Sequence, residues 1–313
     1  MSILVTGGAG FIGSWTVEYL VRNGYNVVVL DDFSSGSIDN LSKVIKEIVI
    51  VKGDIRDFEL IEEIIHKYNV EKIIHLAALV SVEEAYNNPV KCFEVNAEGT
   101  LNVLEAARKH DLERVVYASS AAVYGEAKYV PIDEDHPTRP ISIYGASKLS
   151  GEVLVNSYQH NYGLSTISLR YFNVYGPRMR AGDYAGVIYK FIERALLDRP
   201  PIIYGNGSQV RDFIYVEDVA RANIIALESK ATGTFNIGTG KAVSITELAK
   251  IIIGILGKNL EPVYTKPRPG DIKRSIANIT KAREVLNWRP QVELVDGIKK
   301  TINYVRDKLR SHK

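Results

Sequence analysis

The sequence of 313 residues predicts a Rossmann-type, doubly wound parallel sheet with a smaller C-terminal α/β lobe. Three observations predict it. The first β-branched run ends in a glycine-rich turn that leads into a helical pattern. The second run ends in a pair of acids, and strand-like and helical segments alternate through the first half.

In chain order, the expected strands are 2–6 (SILVT), 26–30 (NVVVL), 48–52 (IVIVK), 72–76 (KIIHL), 114–119 (RVVYAS) and 165–170 (STISLR). Their apolar residues run on rather than alternate, as in a sheet covered on both faces. Helices are expected at 13–22, 58–68, 96–110 and 144–162. After Phe172 glycine, proline and arginine become dense and the elements shorten, with helical patterns at 187–197, 216–228, 245–256 and 279–286. The division drawn is a nucleotide-binding domain over 1–172 and a substrate lobe over 173–313, some of whose segments return to complete the first.

Composition narrows the function. Apolar residues make up 46% and charged residues 24%, which is enough to bury a sizeable core. Lys plus Arg (39) nearly balance Asp plus Glu (37), so a nucleic-acid or membrane-surface binder is not expected. The lone cysteine, Cys92, rules out an intramolecular disulfide and a multi-cysteine metal site, and reads as a buried apolar residue. Six histidines show no metal-ligand spacing, so no metal is expected. No apolar run reaches the ~18 residues of a membrane span. A soluble, cytoplasmic protein is the expectation.

The turn Thr6-Gly7-Gly8-Ala9-Gly10-Phe11-Ile12-Gly13 places glycines where a tight turn, a close approach to a pyrophosphate and close helix–strand packing need them. A structural turn would explain the glycines alone. Their place between strand and helix favours a dinucleotide, whose phosphates would meet the helix N-terminus. Asp31 and Asp32 follow, with Asp31 18 residues past Gly13; an acid there accepts bonds from the adenosine ribose hydroxyls. No Arg or Lys occurs in 31–37 to hold a 2′-phosphate, which favours NAD over NADP. Asp54 could reach the adenine amino group while Ile55 packs on the ring, although an acid at such a place is more often a helix cap. Leu76, Ala77 and Ala78 would let a cofactor lie against the backbone. His75 reads as a packed strand residue.

Tyr144 and Lys148 share one helical face at the start of a helix. A phenol is a poor base at neutral pH. A neighbouring ammonium and a cationic nicotinamide would both favour the phenolate, making Tyr144 a general base for a sugar hydroxyl. Chance places Tyr and Lys at this spacing in many helices. Ser119 and Ser120 tip the balance, because a hydroxyl at the C-terminal end of the fifth strand lies at the ligand crevice.

TGGAGFIG, Asp31, Ser119-Ser120 and Tyr-x-x-x-Lys together resemble the extended short-chain dehydrogenases/reductases over essentially the whole chain. Within that group, 119–125 (SSAAVYG), 170–178 (RYFNVYGPR) and 207–218 (GSQVRDFIYVED) look most like UDP-glucose (UDP-galactose) 4-epimerases. The resemblance implies a held NAD that exchanges hydride with C4 of a UDP-hexose while Tyr144 takes the O4 proton, with Lys148 and Ser120 beside it. It implies cofactor contacts from Phe11, Ile12, Asn96, Ser119 and Tyr171 as well. Asn173 would bind the substrate, Arg211 and Arg268 would clamp its diphosphate with their planar forks, and Tyr204 would lie near the uracil. Val80 stands where bacterial relatives often have a lysine that contacts NAD. Ser275 occupies the position that gates the sugar; a small residue there implies that 2-acetamido sugars also fit. Helices around 88–110 and 144–162, with Leu149, Val153 and Leu154 on the second, resemble the pair that forms a four-helix bundle in a homodimer.

Other readings stay open at this point. The related 4,6-dehydratases carry an Asp-Glu pair where this chain has Ala121-Ala122, so dehydration is not expected. A UDP-glucuronate 4-epimerase would want a cation for the substrate carboxylate that the sequence does not place. A non-catalytic NAD-binding regulator would have no need of Tyr144, Lys148 and Ser120.

Overall fold

The computed structural model describes residues 1–180, 186–267 and 270–311. The first half supplies β1 (Ser2–Thr6), α1 (Phe11–Arg22), β2 (Asn26–Asp31), β3 (Ile48–Lys52), α2 (Phe58–Tyr68) and β4 (Val70–His75). It continues with α3 (Val82–Asn87), α4 (Pro89–Phe93), α5 (Gly99–Lys109), β5 (Arg114–Ser120), α6 (Ile143–Tyr162) and β6 (Thr166–Tyr171). Beyond these come β7 (Asn173–Tyr175), α7 (Val187–Leu196), β8 (Ile202–Tyr204), β9 (Val210–Arg211), β10 (Phe213–Tyr215) and α8 (Val216–Glu228). The chain ends with β11 (Gly233–Ile237), β12 (Val243–Ser244), α9 (Ile245–Leu256), β13 (Val263–Thr265), β14 (Arg274–Ser275), α10 (Thr280–Val285) and α11 (Leu294–Ser311).

Seven parallel strands form the main sheet in the order β11-β6-β5-β4-β1-β2-β3. The order reverses at β1, which pairs β2 on one side and β4 on the other. A crevice opens at such a reversal, outside the carboxyl ends of the strands. Apolar residues cover both faces. Ile3 and Val5 of β1 join one core with α1 and α8, and Leu4 joins the other with α2 and α5. That division follows from alternate side chains pointing to opposite faces.

Local chemistry sets the helix limits. Asp57 caps α2 by accepting from Leu60 N at 3.0 Å, and Asn69 ends it in the left-handed region. Ser142 caps α6 by accepting from Gly145 N at 3.0 Å, and Gly163 ends that helix at positive φ.

The seventh strand, β11, is drawn from beyond residue 172 and bonds β6, while α8 packs on α1, so the second half completes the first sheet. Two elements differ from expectation. The helix expected at 96–110 is α5, preceded by α4 and a π-helical turn at Glu94–Glu98. No helix was expected over Leu294–Ser311. Its apolar residues Ile298, Ile302 and Val305 lie buried on the lobe core, but dense charge between them hides the stripe.

One buried acid organises the smaller lobe. Asp212 lies between β9 and β10, with no surface exposed. Its carboxylate accepts from Thr239 N (2.8 Å), Thr239 Oγ1 (2.6 Å), Gly240 N (2.8 Å) and Ala277 N (3.1 Å). Its own carbonyl accepts from Asn173 N and Nδ2, both at 3.0 Å, and its N–H donates to Ser275 O at 2.9 Å. Asn173, Arg211 and Ser275 are therefore fixed relative to one another by their shared neighbour. Asp212→Ala would take the acceptor from three N–H donors, that of Ala277 buried, and should lower the unfolding free energy in urea by about 2–4 kcal/mol.

Candidate active site

The carboxyl ends of β1, β2, β4, β5 and β6 meet along one edge, and the site grows from the loops that leave them. After β1 the chain turns at Gly7, whose φ is +69°. A Cβ there would stand 2.7 Å from Ala77 N, and one at Gly13 would stand 2.0 Å from Gly7 O. Only glycines allow α1 to sit this close to the strand ends. No side chain caps α1 at Gly10, so its first-turn N–H groups and positive dipole end are offered to an anion. Phe11 and Ile12 pack sideways against Trp15, Val216 and Ala220.

Asp31 ends β2 and is buried. Its carboxylate accepts from Ala9 N at 2.9 Å and Phe33 N at 2.8 Å. Burial pushes this carboxyl above the ordinary range, and the two N–H bonds oppose that rise. Asp31 thus ties the glycine turn to the loop after β2. Asp32 is exposed and caps its own turn, accepting from Ser34 N (2.9 Å) and Oγ (2.7 Å). Asp54 is paired with Arg56, Nη2 to Oδ2 at 2.6 Å, which holds its carboxyl below the usual range. Ile55 beside it is buried under Gly99.

Leu76, Ala77 and Ala78 leave β4 half-exposed beside the glycine turn. His75 is packed between Thr6 Oγ1 (2.7 Å) and Thr100 Oγ1 (3.0 Å), and burial lowers its pKa to about 3, so it stays neutral. Asn96, expected against the cofactor, is buried within the π-helical turn. It accepts from Leu79 N at 2.7 Å and donates to Leu79 O (3.0 Å) and Ser147 Oγ (2.9 Å). The turn points the amide inward, where it fastens the loop after β4 to α6. Tyr171 likewise sends its hydroxyl into the core, onto Asn223 Oδ1 at 2.5 Å.

At the end of β5, Ser119 points inward to Glu152 and Ser120 points to the crevice. The Ser120 hydroxyl hydrogen-bonds the Tyr144 phenol from α6. Lys148, one turn further, is 3% exposed, with its ammonium 4.4 Å from the centre of the Tyr117 ring. Burial lowers the Lys148 pKa from 10.5 to about 7. It also raises Tyr144 above an ordinary phenol, outweighing the Ser120 bond. The phenolate was expected from the ammonium together with a cationic nicotinamide; among the chain's own groups, burial holds the phenol above its ordinary value.

Across the crevice, β14 pairs with β9 so that Ser275 lies opposite Arg211, and Ser275 is buried. Arg211 is half-buried and donates from Nη2 to Asp271 Oδ1 at 2.6 Å. Tyr204 ends β8, partly exposed, with Gln209 Nε2 on its carbonyl at 2.8 Å. Arg268 lies outside the described residues.

Residues 4–301 match the protein family described as GDP-mannose 4,6 dehydratase. A UDP-glucose 4-epimerase of Mycolicibacterium smegmatis is 42% identical over 98% of this chain and 99% of its own. A Methanocaldococcus jannaschii protein, provisionally named for the same activity, is 46% identical over 99% of this chain and 100% of its own. The Thermotoga maritima UDP-glucose 4-epimerase, solved with UDP-glucose, superimposes with a TM-score of 0.95 at 42% identity, covering 99% of this chain and 100% of that one. The chain belongs to the UDP-glucose 4-epimerase family of extended short-chain dehydrogenases/reductases. Another solved relative, the Thermus thermophilus UDP-glucose 4-epimerase complexed with NAD, gives a TM-score of 0.91 at 40% identity, covering 98% and 99% of the two chains.

In this epimerase-family chain, the residues fit a dinucleotide on structural grounds. A cradle that any Cβ would fill faces an uncapped helix N-terminus, and a buried acid stands one strand away. Two features escaped the sequence reading, the Glu152–Arg170 ion pair and the bonding of Asp212. A signal existed for the first, since Arg170 interrupts an apolar buried strand and needs a buried partner.

The titration of Lys148 has a consequence for stability. Between pH 7 and 10.5 the unfolded chain binds a proton at this lysine that the folded chain does not. The cost of burying it is therefore full below about pH 7 and vanishes above 10.5. Lys148→Met should raise Tm by about 5 °C at pH 6, with the gain shrinking as pH rises. Scanning calorimetry across pH checks this.

Proposed function

We propose that this protein interconverts the C4 epimers of a UDP-hexose, with NAD as resident cofactor and Tyr144 as the base. The meeting of Ser120 and Tyr144 at the sheet edge, beside the glycine turn, carries the reading. When bound, NAD supplies a reversible hydride acceptor for the sugar's C4. The N-terminus of α1 and Gly7, Gly10 and Gly13 hold its phosphates, Asp31 its adenosine ribose, and Ile55 and Leu76 to Ala78 its flat surfaces. Tyr144 removes the O4 proton while Ser120 donates to the same oxygen, and Lys148 favours the phenolate that results. The 4-keto sugar then turns over, so that the hydride would return to the opposite face of C4 while Tyr144 gives the proton back to O4.

Arg211 and Arg268 grip the diphosphate, Asn173 binds the substrate and Tyr204 lies by the uracil. Gripping the nucleotide and holding the sugar loosely is what lets the sugar turn. The substrates are UDP-glucose and UDP-galactose, and the small Ser275 admits their 2-acetamido counterparts. A solved UDP-N-acetylglucosamine 4-epimerase of Methanobrevibacter ruminantium supports this range, with a TM-score of 0.94 at 36% identity over 98% of both chains. Exposed Val90, Phe93 and Val153 on the α4–α6 side suit a homodimeric four-helix bundle.

Purified protein incubated with UDP-galactose or UDP-GalNAc should yield the 4-epimers, separable by anion-exchange chromatography. Failure on both, with NAD⁺ added, would overturn the reading. Tyr144→Phe should reduce kcat by about 10²–10⁴-fold, the worth of a general base, with NAD still bound. Ser275→Tyr should suppress turnover of UDP-GalNAc relative to UDP-galactose; an unchanged ratio would remove Ser275 as the gate.

A further inference from the structure

Two charged side chains lie behind the site and take no part in the chemistry above. Glu152 stands one turn beyond Lys148 on α6, and Arg170 lies on β6; both are buried. Arg170 donates from Nε to Glu152 Oε2 at 3.0 Å and from Nη2 to Oε1. Ser119 donates to the same Oε2 at 2.7 Å. On its far side, Arg170 Nη1 donates to the Tyr124 hydroxyl at 2.8 Å and to Glu134 O at 3.2 Å, and Tyr124 donates to Asn236 Oδ1 at 2.7 Å. The chain of bonds begins on the helix that carries Tyr144 and ends on β11.

A buried ion pair adds little net stability over apolar residues of similar volume, so stability alone does not account for this one. Its geometry does what an apolar pair could not. Adjacent strand residues point to opposite faces, so drawing Ser119 inward turns Ser120 outward to Tyr144. We propose that Glu152, gripped by Arg170, is a positioning residue that fixes the end of β5 against α6, so that Ser120, Tyr144 and Lys148 converge. The effect on turnover rests on the epimerase reading. A second effect does not: the Glu152 carboxylate favours the charged form of Lys148. The other groups facing Lys148 are Tyr144 on α6, Cys92 on α4, Tyr117 on β5 and neutral His75 on β4.

The test uses Glu152→Gln and the double variant Glu152→Gln/Arg170→Met, which leaves no uncompensated buried charge. The double variant should recover the wild-type Tm, yet lose about tenfold or more in kcat with KM for UDP-galactose nearly unchanged. In ¹³C-lysine-labelled, cofactor-free protein, the NMR titration of Lys148 should move to lower pH in both variants. A double variant of restored Tm with wild-type kcat and an unmoved Lys148 titration would overturn the proposal. If the wild type turns over no UDP-hexose, the epimerase reading falls and with it the effect on turnover; the titration then reads the second effect, which the absence of a shift would overturn.

Discussion

The close seating of α1 on the strand ends determines where both halves of the molecule can lie. With 2.0 Å between a Cβ built at Gly13 and the Gly7 carbonyl, the helix has no room to rise or slide. Its first turn is aimed at the crevice. Its outer face becomes the seat for segments from the second half of the chain. Trp15 Nε1 donates to Pro177 O at 3.1 Å, Glu18 pairs with Arg178, and Thr16 Oγ1 accepts from Asn223 of α8 at 3.0 Å. The helix that would hold a phosphate is thus also the surface on which the smaller lobe is mounted, so cofactor and substrate sides share one reference.

Buried charge is settled in different ways, and the differences separate structural from chemical roles. Asp212 has four donors around one carboxylate. Arg114 donates hydrogen bonds to Ala226 O at 2.7 Å, Ser165 Oγ at 2.8 Å and Ala231 O, and so joins β5 to the end of α8. These groups are saturated and hold parts together. Lys148 faces a ring and sits near its neutral point at physiological pH. A group so balanced responds to whatever charge is brought beside it, as the proposed role of Tyr144 would need.

Sequence carried the local features well. Six strands of the sheet were legible within about two residues, because a β-branched run bounded by turns is a local pattern. The glycine turn, Asp31 and the Ser120–Tyr144–Lys148 constellation were legible because each has fixed spacing or a fixed place at a strand end. The features that escaped depend on distant partners. Asn96, expected against the cofactor, is buried in a π-helical turn that leaves no local mark in the sequence, and its amide bonds Leu79 and Ser147. Asp212 reads as one acid among several until Thr239, Gly240 and Ala277 arrive from elsewhere in the chain. The pKa of Tyr144 was read from neighbouring charges, whereas burial, which has no local signature, raises it.

The placing of β11 bears on how the chain comes off the ribosome. Phe172 N donates to Ile237 O at 3.0 Å, and β6 is an inner strand only because residues 233–237 lie beside it. Until those residues emerge, the nascent sheet ends in an open edge, and the apolar side of α1 that receives α8 is bare. Open strand edges and uncovered apolar faces are what bind other chains. A fragment stopped near residue 172 would carry the glycine turn, Ser120, Tyr144 and Lys148, yet would be a sticky, incomplete sheet. Synthesis must run some 65 residues past β6 before the sheet can close.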